Sequence, residues 1–154
     1  MRKARFSVTH PDDSIVQLEK KADHKTLAVW AIDCVERVMP YFEEKHPEDP
    51  RPRNAVKTLR AWIDGGISEK SDIRKAALAS HAAAREVRED DSARSAARAA
   101  GQAVATAHVR THSLGAAPTP CRPSTGQQIP SMQWIKSENW QFQRLLELTK
   151  SSQK

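Results

Sequence analysis

The chain has 154 residues, of which 25 are Lys or Arg and 19 are Asp or Glu, so its formal net charge is +6 and its length suits a single domain. Hydrophobic residues make up 38% of the sequence, and no apolar run approaches the roughly 20 residues that a membrane-spanning helix needs. The N-terminus, MRKARFSVTHPDDS, is basic but lacks the apolar stretch of a secretory signal. We therefore expect a cytoplasmic protein without a membrane segment.

The first 22 residues combine charged side chains and a Pro-Asp-Asp turn signal with little periodicity. Within them, Phe6 and Val8 alternate with polar neighbours in the pattern of a short strand. We predict that residues 1–22 form an extended N-terminal arm and that residues 23–150 form one helical domain.

From Asp23, a suitable N-cap, apolar residues recur at the three- and four-residue steps that line one face of a helix. These are Leu27, Trp30, Ala31, Cys34, Val38 and Tyr41. Cys34 is therefore expected as a reduced thiol in the core. The chain has one other cysteine, Cys121, and two cysteines cannot build a disulfide framework. Pro40 should kink or end this helix near Met39.

The stretch HPEDPRPR contains three prolines and predicts an extended connector. A second helix follows, with Pro52 in its first turn and the glycine pair 65–66 at its end. A third helix is expected from about Ser71, and a fourth from about Ser92 to Gly115.

The third and fourth helices are rich in alanine, and Gly101 adds another small residue to the fourth. Small side chains allow helix axes to approach closely, so we expect an antiparallel hairpin near the short end of the usual 8–10 Å range. Residues 116–130 hold four prolines and predict a loop, and a last helix should run from residue 131 to about 149. The predicted fold is thus all-α, an antiparallel bundle of about five helices.

Three histidines stand among the alanines: His81 in the third helix, and His108 and His112 one turn apart in the fourth. Two histidines at i and i+4 share a helix face, and a third from a neighbouring helix would complete a zinc site. However, HxxxH is a weak motif without structural context, and buried histidines commonly make ordinary hydrogen bonds. The three histidines can be interpreted either as a conditional metal site or as a structural polar cluster, and the sequence does not decide between the two. We assign no metal or cofactor.

An enzymatic function has little support in the sequence, which contains no glycine-rich phosphate loop and no signature of a nucleophilic cysteine. One catalytic hypothesis makes Asp33 a general base beside His81, which would require a cleft and a perturbed pKa. The alternative is an ordinary i, i+4 ion pair between Asp33 and Arg37. Basic residues alternate with acidic ones throughout, so a nucleic-acid partner is not expected either.

Three segments together resemble one known family. They are LAVWAIDCVERVMPYFEEKHPEDPRPRNAVKTLRAWIDGG, RKAALASHAAAREV and ARAAGQAVATAHVRTHSLGAA, and the resemblance covers residues from about 23 to 117. In this order they resemble the immunity proteins related to the fifth immunity-protein class of bacterial polymorphic toxin systems. After HSLGAA the family continues with another alanine-rich helix, whereas this chain has PTPCRPSTGQQIP.

The resemblance implies an all-helical fold and a non-enzymatic protein that binds and neutralises a cognate protein toxin by covering its surface. The net positive charge favours an acidic partner surface, unless the acidic stretch 43–49 makes the contact. Candidate protein-binding residues are Asp33, Arg37, Arg51 and Arg53, for which structural roles are equally compatible with the sequence. An exposed alanine face would also support a homodimer.

Overall fold

The protein is described by a computed structural model that covers residues 13–66, 69–87, 92–117 and 131–153. This part of the chain contains seven α-helices and no β-strand, which confirms the predicted all-α fold. The helices are α1 (Asp13–Lys21), α2 (His24–Glu43), α3 (Arg51–Ile63), α4 (Lys70–Glu86), α5 (Ser92–Ala105), α6 (His112–Ala116) and α7 (Ser131–Ser152). None of these described helices has the length and apolarity required to cross a bilayer.

Helix α1 lies where the sequence predicted an extended arm, so that prediction is wrong for residues 13–21. The helix has Asp13 in its first turn and two lysines in its last, an arrangement that suits the helix dipole. Ile15 is buried against the rest of the molecule. Tertiary packing therefore stabilises a helix of only nine residues, too short for its periodicity to be recognised. The proposed strand at Phe6 and Val8 lies outside the described residues.

Asp23 caps α2 as predicted: its Oδ1 accepts a hydrogen bond from the Thr26 backbone N–H at 2.8 Å. The helix does not end near Met39 but continues through Pro40 to Glu43. Pro40 lies close enough to the C-terminus to lose only its own donor, and its carbonyl still accepts from the Glu44 N–H at 2.9 Å. Burial of Phe42 in the final turn offsets that loss.

Helix α3 begins at Arg51, so Pro52 lies in its first turn as predicted, and the helix ends as predicted at the glycine pair. Gly65 adopts a φ of +82°, a conformation that favours glycine, and the Gly66 N–H bonds to the Ala61 carbonyl at 2.8 Å. The five largest fully buried side chains all belong to α2 and α3. These large residues are Trp30, Phe42, Leu27, Met39 and Leu59.

The alanine-rich hairpin forms as predicted, with α4 packed antiparallel to α5. Contacts run in opposite directions along the two helices: the Ser80 hydroxyl donates to the Ala97 carbonyl at 2.7 Å, and Arg94 donates to the Val87 carbonyl at 3.1 Å. The small residues of α5 are almost all buried between its neighbours. Close approach of the two backbones therefore follows from the lack of side-chain bulk.

Helix α5 ends at Ala105, ten residues before the predicted end at Gly115, and α6 follows after a series of turns. The reason is tertiary: His24 bonds through Nε2 to the Thr106 carbonyl, and Arg110 donates to the Ala22 carbonyl at 2.6 Å. These contacts fix residues 106–111 as turns, with i to i+3 bonds such as His108 N–H to the Ala105 carbonyl at 3.0 Å.

Helix α7 packs against α1 and α2 and confirms the predicted last helix. The indole N–H of buried Trp30 donates to the Gln141 carbonyl at 3.0 Å, and Leu145 is fully buried beside it. Cys34 lies in the same cluster, and burial raises the pKa of its thiol, as expected for a reduced core cysteine. Cys121, most of the proline-rich segment and the side chains of Trp134 and Ile135 lie outside the described residues.

Candidate functional site

A polar cluster lies between α4, α5 and α6, centred on the half-buried imidazole of His81. This ring packs directly onto Gly101 of α5: a Cβ at residue 101 would lie 2.7 Å from His81 Nε2 and 2.8 Å from Cε1. Only a residue without a side chain leaves room for the ring at this distance. At Gly101, the small residues of α5 therefore make room for a histidine of α4 rather than for another alanine.

The second half of the cluster joins α5 to α6. His112 Nδ1 and Gln102 Oε1 are 2.7 Å apart in a hydrogen bond. The Gln102 side chain also lies over Gly115, where a Cβ would be 3.1 Å from Gln102 Cγ. Two glycines thus make room for two polar side chains, and the cluster holds α6 against the hairpin.

Burial lowers the pKa of His81 from its ordinary value, and electrostatic repulsion, chiefly from Arg85 and Arg98, lowers it further. Arg85 is one turn along α4 from His81, and Arg98 is one turn along α5 from Gly101. Both steps lead toward the connection between the two antiparallel helices. The two arginines therefore lie at about the same level of the hairpin, and the imidazole favours its neutral form at pH 7.

The geometry required by the zinc hypothesis is not present. Because α5 ends at Ala105, His108 and His112 do not share a helix face, and His108 is exposed in the turn that follows the helix. Within the described ranges, which include all three histidines, no group of three His, Cys, Asp or Glu side chains is placed to share a metal ion. His112 instead bonds to Gln102, and the His81 ring packs on Gly101.

Two of the candidate binding residues, Asp33 and Arg37, contact α7 rather than each other. Asp33 Oδ2 accepts a hydrogen bond from Arg144 Nε at 2.8 Å. The Arg37 guanidinium lies 4.1 Å from the centroid of the Trp140 ring, in a cation–π contact. Both residues therefore fix α7 to α2 in this structure.

Asp33 also lines a cavity of about 180 Å³ between α2 and α3. The other lining residues are Val29, Ile32, Arg60, Ile63 and Asp64. His81 is not among them, and the charges that act on His81 come from two arginines and a histidine. Asp33 and His81 thus lie in different environments, and the structure does not assemble the proposed acid–base pair.

The candidate residue Arg53 joins α2 to α3. Its Nε donates to Glu43 at 2.7 Å and its Nη1 to Glu36 at 2.8 Å, while Arg60 also reaches Glu36 at 3.0 Å. Burial acts to raise the pKa of Glu36, but the bonds from Arg53 and Arg60 outweigh it and hold this pKa below its ordinary value. The two arginines and two glutamates form a charge network along the surface of these helices.

The candidate residue Arg51 makes a similar connection between the α2–α3 connector and α4. It donates to Asp49 at 2.6 Å and also pairs with Glu86 at the end of α4. Bonding to Arg51, from both its side chain and its backbone N–H, lowers the pKa of Asp49 although burial opposes the shift. Arg51 and Arg53 therefore stabilise the arrangement of three helices, whatever further contact they make.

Several residues that position this scaffold were not identified from the sequence: His24, Arg110, Gln102 and Arg144. Arg110 donates to the carbonyls of Glu19 and Ala22 at the end of α1, both at 2.6 Å. Because Arg110 bonds to a helix end more than 80 positions away in the sequence, no local sequence pattern indicates this role. Only Gln102 had a detectable signal, because it stands next to Gly101 among small residues on α5.

The model of one protein family, described as "Imm-5 like putative immunity protein", matches residues 17–118. The match covers about two thirds of the 154 residues and includes α2 to α6 completely. The chain belongs to this immunity-protein family. The family resemblance noted in the sequence is thereby confirmed, and His81, Gly101 and Gln102 all lie within the matched segment.

Helix α7, with Arg144 and Trp140, lies beyond the segment that matches this immunity-protein family. The helix nevertheless covers Trp30 and Cys34, which belong to the matched part. No curated protein and no solved structure matches the chain in the same comparisons.

Proposed function

We propose that this member of the immunity-protein family binds a cognate bacterial protein toxin and neutralises it by covering a functional surface, without catalysing a reaction. The observation that carries the proposal is the family match over residues 17–118. A toxin of a bacterial polymorphic system is the partner that the resemblance implies.

The structure is compatible with inhibition by occlusion, which requires a preformed surface rather than reactive groups. The surface arginines Arg51 and Arg53 are held by defined ion pairs, and the buried glycine contacts of α5 fix the hairpin. A surface that is ordered before binding loses little conformational entropy when the complex forms. Specific interfaces bury roughly 1,200–2,000 Å² in total, an area that one face of a small bundle can supply.

The test is a binding and inhibition experiment with the toxin domain encoded by the gene next to that of this chain. Isothermal titration calorimetry of the two purified proteins should show a saturable complex of defined stoichiometry, and co-expression should restore growth of cells that produce the toxin. A toxin domain from an unrelated polymorphic system is the control. Absence of both binding and protection with the neighbouring toxin would contradict the proposal.

The dose dependence of inhibition separates occlusion from catalysis. Occlusion predicts that residual toxin activity falls linearly and reaches its minimum at the stoichiometry of the complex. Inactivation of many toxin molecules by one molecule of this protein would instead identify an enzyme. Sedimentation of the free chain at the same concentrations reports whether it forms a homodimer.

A further inference from the structure

Two exposed arginines, Arg85 and Arg98, lie on the outer face of the α4–α5 hairpin. Neither forms an ion pair within the part of the chain that the structure describes. The contact of His81 with Gly101 shows which residues of α4 and α5 lie opposite each other. Arg85 follows His81 by four residues and Arg98 precedes Gly101 by three, so the antiparallel register places both arginines at about the same level of the hairpin, and the charges of both act on His81.

This pair differs from the arginines that hold the fold together. Each of those structural arginines bonds to at least one carboxylate: Arg51, Arg53, Arg60, Arg110 and Arg144. Two like charges on adjacent helices repel each other, and a nearby neutral imidazole supplies no compensation. A carboxylate placed between Arg85 and Arg98 would relieve the repulsion and accept hydrogen bonds from both groups.

The surface around the pair contains an exposed apolar side chain. Leu78 is 55% exposed and lies one turn before His81 on α4, and Arg74 lies one turn before Leu78. Arg74, Leu78, His81 and Arg85 thus form a continuous row on α4, which we call the α4 row. It combines an apolar contact with arginines at both ends and contains no acidic residue. Arginine is enriched among the residues that dominate protein–protein binding.

We propose that the α4 row, together with Arg98, is a docking surface for a carboxylate-rich segment of a partner protein. This inference rests on the proposed function, under which the partner is the toxin. Charge complementarity supports an acidic partner segment at these arginines. The alternative contact, through the acidic stretch 43–49, has fewer available carboxylates because Glu43 and Asp49 are already bonded to arginines of this chain.

A protein segment fits the surface better than a nucleic acid does. The exposed Leu78 offers apolar contact, which side chains of a protein can use and a phosphate backbone cannot. Exposed acidic residues, Asp72 and Glu86, flank the row on α4 and would repel a long polyanion. A short acidic segment can place its carboxylates between the arginines and avoid both acids.

The first test uses the neighbouring toxin domain and the exposed double variant R85E/R98E. The matched control is K150E, which reverses an exposed charge on α7, a helix that packs mainly against α1 and α2. We expect the double variant to weaken toxin binding at least 100-fold and the control to change it less than 3-fold, with unchanged circular dichroism for both. Equal affinity of R85E/R98E and the wild type would overturn the docking surface while leaving the proposed function intact.

The second test needs no toxin, so it separates failure of this inference from failure of the proposed function. Wild type, R85Q/R98Q and K150Q are titrated with N-acetylated hexaglutamate and, separately, with hexathymidylate. We expect hexaglutamate to shift the NMR signals of the His81 ring and the Gly101 amide in the wild type and K150Q, but not in R85Q/R98Q. Absence of shifts in the wild type, equal shifts in the double variant, or stronger binding of hexathymidylate would each overturn the proposal.

Discussion

The His81 imidazole rests on the bare backbone of Gly101, so that α4 and α5 are joined by a ring-to-backbone contact as well as by hydrogen bonds. A Cβ at residue 101 would lie 2.7 Å from Nε2, closer than real Cβ contacts allow. A glycine inside a helix costs about 1 kcal/mol relative to alanine. The ring occupies the space that a Cβ would take, so a side chain at residue 101 would displace it.

Replacement of Gly101 by alanine should therefore destabilise the protein although alanine is the better helix former. Overpacking costs about 1–3 kcal/mol, which exceeds the gain of about 1 kcal/mol in helix propensity. Gly101→Leu should be still more destabilising. Urea unfolding followed by circular dichroism measures both changes.

A double-mutant cycle with His81→Ala isolates the contact. In that background the ring is gone, so Gly101→Ala should become neutral or stabilising. A Gly101→Ala variant that is more stable than the wild type, with His81 present, would show that the ring moves aside easily and that the register does not depend on it.

The charge network around Arg53 should contribute measurably to stability. Arg53→Met keeps the apolar stem but removes bonds to Glu36 and Glu43, and we expect a loss of about 1 kcal/mol, since the partly exposed pairs are screened by water. Lys57→Met, at an exposed position of the same helix, should change stability by less than about 0.5 kcal/mol. The difference between the variants should shrink in 1 M NaCl; a loss that salt leaves unchanged would indicate packing rather than charge.

The fully buried Leu145 should contribute strongly to the attachment of helix α7 to the bundle. Leu145→Ala removes apolar contacts from the cluster around Trp30, and a loss of about 2–5 kcal/mol is expected. Leu146→Ala, at the adjacent half-buried position, should cost less. Hydrogen exchange should show faster exchange along α7 in the Leu145 variant before the other helices are affected. Equal losses in both variants would mean that Leu145 has no special anchoring role.

The elements that the sequence predicted correctly are those with long local periodicity. The spacing of alanines in α5, the N-cap at Asp23 and the glycines at 65–66 each act within a few residues, so their effect can be read directly. The end of α5 cannot be read in this way, because it depends on His24 and Arg110, which bond to segments at least 80 residues distant in sequence.

The candidate site shows the same division between local and distant interactions. Local spacing suggested that Asp33 pairs with Arg37, yet Asp33 bonds to Arg144, which is 111 residues away. The sequence did predict that the helix carrying His81 forms a hairpin with the small-residue helix α5. It did not predict that Arg85 and Arg98 lie at the same level of the hairpin, because this requires the exact register of α4 against α5.

The N-cap of α2 provides a test that depends on pH. Bonds to Asp23, first from the Ser152 hydroxyl and then from the Thr26 backbone N–H, lower its pKa from 3.8 to about 2. Because the folded state favours the ionised carboxylate, the stabilisation is complete above pH 4 and is lost as the pH falls toward 2 and below. The substitution Asp23→Asn keeps an oxygen that can cap the helix but removes the titrating group.

Wild type and Asp23→Asn should thus differ most at neutral pH, where the carboxylate adds a favourable interaction with the helix dipole of about 0.5–1 kcal/mol. Urea unfolding at intervals from pH 7 to pH 2 should show a constant difference down to about pH 4 and a decreasing one below it. Other acids titrate in both proteins and cancel in the comparison. A difference that persists undiminished at pH 2 would place the stabilisation in the geometry of the cap rather than in its charge.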